Sequence, residues 1–75
     1  MPRLPRLSGS DLLRALQRAC WHESRTRGSH VVLRHSSRPG RVVIPVHAGR
    51  TLKPKTLLAI LDSAGITVNQ LRDLL

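Results

Sequence analysis

Apolar residues recur along this chain with two periods, and the switch between them divides it into elements. Near the start the period is helical. Leu12, Leu13, Leu16 and Ala19 fall on one stripe, while Arg14, Gln17 and Arg18 take the other side. Ser8 precedes them with Asp11 three residues on, a Ser-x-x-Asp form of the capping box, so a helix is predicted to open at Ser8 and to end near Ala19 or Cys20. From residue 29 the period becomes two. Ser29, Val31, Leu33 and His35 point one way; His30, Val32 and Arg34 point the other. Residues 41–46 alternate in the same manner. Val42, Ile44 and Val46 are expected inward with Val31 and Leu33. Val43, Pro45 and His47 then share the outer face with His30, Val32 and Arg34.

The connections fit these elements. Gly28 takes a positive φ at little cost and suits a tight turn. Residues 21–26 before it are polar for a strand, as an edge strand tolerates. Trp21 is expected to anchor that strand to the first helix. The 36–40 stretch, Ser-Ser-Arg-Pro-Gly, reads as the turn of a hairpin. Pro45 cannot donate to a ladder, so the strand that holds it lies at an edge or bends there. After a basic loop over residues 47–53, Pro54 suits the first turn of a second helix. Leu57, Leu58, Ile60, Leu61 and Ala64 form its expected buried face, and Gly65 ends it. Thr67 with Gln70 is a second capping box, opening a short third helix through Val68, Leu71, Leu74 and Leu75. The order α-β-β-β-α predicts an α+β fold: a three-stranded antiparallel sheet with helices on one face and the other left open. That is the architecture of a double-stranded-RNA-binding domain (dsRBD). Residues 1–7 read as a basic arm and 8–75 as one domain.

Charge changes the picture most. Thirteen Lys and Arg, eleven of them Arg, oppose four Asp and Glu in 75 residues, a net +9. Arg donates two parallel hydrogen bonds to phosphate, so the composition points to a nucleic-acid partner, with an acidic protein as a compatible second one. A chain with no Phe, no Tyr and a single Trp has little to stack bases on, so binding must rest on charge and shape. The lone Cys20 forms no internal disulfide, which suits a reducing compartment, and is expected half-buried at the helix end. No apolar run approaches a membrane span, and the N-terminus lacks the apolar segment of a secretory signal.

Chemistry narrows to histidine. His30 on the outer face has Arg34 two steps beyond Val32 and Arg27 across the turn. An imidazole titrates near neutrality, and a guanidinium holds a phosphate. His47 is a candidate second proton carrier, and His22 and His35 read as bystanders. Arg50, Lys53 and Lys55 crowd the start of the second helix, where free N–H groups and the dipole favour phosphate. Four histidines and few carboxylates show no metal-ligand spacing, so no metal or other cofactor is expected. A lone strand histidine is by default more often structural than catalytic. A non-catalytic RNA- or DNA-binding module of the same fold therefore stands beside an enzyme.

Several local sequences carry a resemblance. They are Ser8-Gly9 before the first helix, Gly28-Ser29-His30, Arg34-His35 and the strand ending Ile44-Pro45-Val46-His47. Leu52 with Thr56-Leu57, Ile60-Leu61 and Ala64-Gly65-Ile66 complete the set. Over residues 8–75 the chain resembles the HicA family of bacterial toxins, small mRNA interferases with a dsRBD-like fold. The resemblance implies RNA cleavage with His30 as the catalytic residue, mRNA as substrate, a HicB-type antitoxin as partner and a bacterial cytoplasmic setting. The chain departs from that pattern at five positions. Cys20 replaces a glycine after the first helix, and Val31 stands where a second histidine is common. Lys55 replaces a frequent glycine, and Trp21 and Leu33 stand for Phe.

Overall fold

The computed structural model describes residues 3–75. The chain forms α1 (Gly9–Arg18), β1 (Trp21–Arg27), β2 (His30–His35), β3 (Val42–Pro45), α2 (Pro54–Ala64) and α3 (Val68–Leu74). The strands make one antiparallel sheet in the order β1-β2-β3, the α+β arrangement the alternation predicts.

Local chemistry sets the helix ends. The Ser8 hydroxyl accepts from the Asp11 N–H at 3.1 Å while the Asp11 carboxylate accepts from the Ser8 N–H at 3.3 Å. The Ser8 backbone N–H and hydroxyl, then the Arg14 guanidinium, hold the Asp11 carboxyl below its ordinary value despite some desolvation. What Asp11 adds to stability is thus present above the ordinary aspartate pKa and is lost as pH falls through the lowered one. Thr67 and Gln70 repeat the box at α3. Gly65 ends α2 at φ 68°, and Arg38 donates to the last carbonyl of that helix, Ala64 O, at 3.1 Å.

On one face of the sheet α1 and α2 pack against the strands, and α3 packs against α1. Leu12, Ala15 and Leu16 of α1 meet Trp21, Val31, Leu33, Val42 and Ile44 of the strands, with Leu57, Ile60 and Leu61 of α2 and Leu71 of α3. Among the described residues no polar side chain is buried in this core. Leu7 belongs to it and Leu4 packs against it, so the expected basic arm lies on the domain from Leu4 onward. The Leu52 N–H donates to Leu7 O at 2.7 Å and Ser8 bridges Thr51. Met1 and Pro2 of that arm lie outside the described residues.

Two expectations of burial, at Leu58 and Cys20, and one helix bound, at Leu75, are corrected. Leu58 is 48% exposed, because Leu57, Ile60, Leu61 and Ala64 already complete the buried stripe and Leu58 lies a step around the helix. Leu75 is 51% exposed, beyond the last turn of α3. Cys20 is exposed, not half-buried. It follows the C-cap of α1 at φ 71°, the left-handed region that glycine fills freely and other residues enter at a cost.

The start of α1 is pressed against the end of β3. A Cβ on Gly9 would run into Pro45 O and come within 3.0 Å of Val46 Cα, both backbone atoms that cannot swing aside.

Two glycine experiments should therefore move stability in opposite directions. Gly9→Ala is expected to lower the denaturation midpoint in urea by the equivalent of about 2 kcal/mol, because the helix must lift off the sheet. Cys20→Gly is expected to raise it by about 1 kcal/mol, because the strain at that turn disappears.

Candidate active site and nucleic-acid interface

The open face of the sheet owes its content to one irregularity in β1. Trp21 pairs with His35, His22 with Arg34 and Glu23 with Leu33. After Ser24 the register shifts, so that Arg25 faces Val32, Thr26 faces Val31 and Arg27 faces His30. In a regular strand Trp21, Arg25 and Arg27 would share a side. The extra residue is a β-bulge that reverses the phase. Trp21 enters the core at 2% exposure, while Arg25 and Arg27 turn outward into solvent.

The open face then reads as three rows across the strands. His22 and Arg34 form one end. Arg25, Val32 and Val43 form the middle. Arg27, His30 and Pro45 form the other end. None of these residues is acidic. Val32, expected as an outward apolar residue, is only 7% exposed although it lies outside the helix-side core. Arg25 and Val43 flank it across the strands, and His30 and Arg34 flank it along its own, so their stems close over it.

His30 is exposed on this face. Its cross-strand neighbours are Arg27 on one side and Pro45 on the other. The Val46 N–H donates to Ser29 O at 2.7 Å, which makes the next pair, His30 with Pro45, a pair without ladder hydrogen bonds. The proline nitrogen therefore faces out of the ladder, where no donor is needed. Its side chain stands close to the imidazole, since such pairs approach more nearly. Arg34 lies four residues from His30 on the same strand, about 13 Å away, so Arg27 alone of the two arginines reaches the imidazole.

Pro45 also lines a groove of about 270 Å³ with His47, Arg50 and Lys53. This groove lies at the start of α2, whose first turn has Pro54, no acidic residue and no side-chain cap, leaving its N–H groups free for an anion. Lys55 lines a neighbouring groove with Arg41 and Val43 instead. Of the cations expected around α2, Arg50 and Lys53 are thus together with His47, and Lys55 is apart. Arg25 and Arg41 complete the basic surface. Neither follows from a motif, but the clash of phase between Trp21 and two arginines is a readable sign of the bulge.

Several arginines are occupied within the fold. Arg14 pairs with Asp11 at 2.6 Å, Arg18 donates to Leu74 O at 2.6 Å, Arg38 caps α2, and Arg72 donates to Arg3 O. Among the described residues, Arg25, Arg27, Arg34, Arg41 and Arg50 make no such bond. His35 is structural. Its Nδ1 accepts from the Ser37 N–H at 3.0 Å, so Nε2 carries the proton and donates to Ala19 O at 3.2 Å. Its ring also meets Trp21 edge-on at 5.2 Å. Among the described residues no three His, Cys, Asp or Glu side chains gather as a metal site would need, and no helix is long and apolar enough to cross a membrane.

A small α+β domain of the dsRBD type, helices behind and free cations in front, is the class these features define. The family model of the HicA toxin of bacterial toxin-antitoxin systems matches residues 9–66, from the glycine pressed on β3 to the residue after the α2 cap. The chain belongs to the HicA toxin family. It is the toxin component of a toxin-antitoxin pair, and a cognate antitoxin is its partner. No curated protein matches it.

Deleting Ser24 tests the bulge. Without it Trp21 lies three residues from Arg25 and five from Arg27, so a regular strand turns the tryptophan inward and both arginines outward, whereas deleting Glu23 as well restores the even spacing and forces one set into the wrong environment. The expected result, followed by circular dichroism, is a cooperative thermal transition kept in the Ser24 deletion and lost in the deletion of Glu23 and Ser24 together.

Proposed function

We propose that this toxin is an endoribonuclease that cleaves mRNA by histidine acid–base chemistry without a metal ion. The observation that carries the reading is the position of His30. It stands in solvent on the uncovered face, directly across from an unpaired arginine.

The chemistry follows from the row of three residues. Arg27 holds the scissile phosphate and offsets the charge that grows on its oxygens during attack. His30 takes the proton from the 2′-OH, O2′ bonds to phosphorus in line, and the P–O5′ bond breaks. His47, in the groove beyond Pro45, hands a proton to the departing O5′. The products are a 2′,3′-cyclic phosphate and a 5′-hydroxyl. Arg50 and Lys53 bind the strand as it leaves along the α2 groove, with Lys55 and Arg34 as outlying phosphate contacts. The partner is a HicB-type antitoxin, and the bacterial cytoplasm is the setting that joins it to mRNA. An acidic antitoxin surface suits the same open face, because the cations that attract RNA attract carboxylates equally.

Incubation of the purified protein with end-labelled RNA and a chelator tests this. Wild type is expected to leave cyclic-phosphate ends with chelator present. His30→Ala is expected to cut at least about 100-fold more slowly while keeping its RNA affinity. Binding by the wild type with no cleavage under any condition would instead identify a non-catalytic RNA- or DNA-binding module.

A further inference from the structure

We propose that His22 and Arg34 form a second phosphate-binding subsite for the RNA strand, separate from the reacting phosphate at Arg27 and His30. This rests on the ribonuclease reading and adds to it a site that sets how long a substrate must be.

The pairing of β1 with β2 places a histidine opposite an arginine twice on the open face. At one end the histidine is on β1 and the arginine on β2, His22 with Arg34. At the other the arginine is on β1 and the histidine on β2, Arg27 with His30. The two ends are alike in chemistry and inverted in strand. Residues directly opposite in an antiparallel pair hold their Cβ atoms about 5 Å apart, near enough for imidazole and guanidinium to converge on one anion. An arginine facing a histidine that can take a proton is also a pair that repels. No acidic side chain lies on this face to relieve either end. The nearest carboxylate of β1, Glu23, points to the other phase and accepts from the Thr26 hydroxyl at 2.7 Å. A phosphate relieves both ends.

The two pairs are not one site. His30 and Arg34 are four residues apart on β2, so the ends are separated by about 13 Å. Between them the floor is Val32, closed over at 7% exposure, with Arg25 beside it. A sugar–phosphate strand with its reacting phosphate at His30 lies along this floor and sets an earlier or later phosphate between His22 and Arg34. His35 next door does not compete, since its two ring nitrogens are already engaged by Ala19 and Ser37. Arg34 here is a binding residue and touches no reacting atom.

Substrates of graded length read this out. A dinucleotide reaches only the His30 row; a longer oligoribonucleotide spans both. Wild type is expected to favour the longer one in kcat/KM. Arg34→Ala is expected to reduce that preference about tenfold, chiefly through KM, the worth of one charge-assisted hydrogen bond. His22→Ala acts in the same direction, and Arg34→Lys restores part of the preference. Arg14→Ala, whose guanidinium serves Asp11, leaves the preference as it was. Uncut RNA gives a second reading. On a His30→Ala background, adding Arg34→Ala should flatten the slope of log binding constant against log salt by about 0.7, the share of one single-strand phosphate. Length preference and salt slope both surviving Arg34→Ala would overturn the subsite. Absence of cleavage in the wild type would overturn the ribonuclease reading instead, and the salt slope would still decide the subsite.

Discussion

Where α1 begins, its backbone lies against the end of β3 with no room for a side chain between them. Gly9 is the residue there, and a Cβ in its place would strike Pro45 O. The contact has this form because Pro45 sits in a pair without ladder bonds, so its carbonyl and its nitrogen both point away from β2. The helix start occupies the edge that would otherwise be bare, one of the ways a sheet protects an edge strand. The capping box at Ser8, the bond from Leu52 to Leu7 and the bridge from Ser8 to Thr51 strap the same corner from the other side. The backbone of Pro45 is held by α1 while its side chain stands beside His30. The helix start, the strand end and the imidazole are thus stacked in one register, which is how so thin a domain keeps an exposed histidine in place.

The bulge at Ser24 solves a second problem. β1 must present a tryptophan to the core and two arginines to solvent, and all three are spaced by even numbers of residues. One inserted residue lets the strand do both. It also keeps the edge strand twisted and charged, so the open face stays accessible without inviting another sheet to add to it.

Features decided within a few residues were legible in the amino-acid order. Ser8 with Asp11, Gly65, and Thr67 with Gln70 mark helix ends through bonds to their own neighbours, and the structure has them all. The alternation around Val31 and Leu33 likewise sorted β2 correctly for His30 and Arg34. What depends on pairing was not legible. Arg27 and Arg34 look equivalent beside His30 in sequence, yet register makes one its neighbour and sends the other to the far end. Leu57 and Leu58 are both apolar, and only the direction from which the sheet approaches decides that Leu58 stays wet. Val32 is covered by the stems of its neighbours, which alternation cannot show. Cys20 is an intermediate case. A glycine expected at that place signals a left-handed turn, and the turn survives the substitution at φ 71° with its strain retained.

The cations divide in a way that links binding to folding. Arg18, Arg38 and Arg72 donate to main-chain carbonyls, the first two near the ends of helices, where positive charge is favourable. These three are tied to the fold itself. Arg25, Arg27, Arg34, Arg41 and Arg50 satisfy nothing inside the described fold, and those on the open face have no acid among them. Their mutual repulsion works against a small core that buries roughly 60% of its extended-chain surface and has little stability to spare. An anionic partner that binds only the folded face removes that repulsion and draws the equilibrium toward the native state. The uncompensated charge of the open face therefore makes the free domain less stable than one bound to such a partner. Under the proposal that an acidic antitoxin surface covers this face, the same term would apply, and inhibition and stabilisation would come from one set of contacts.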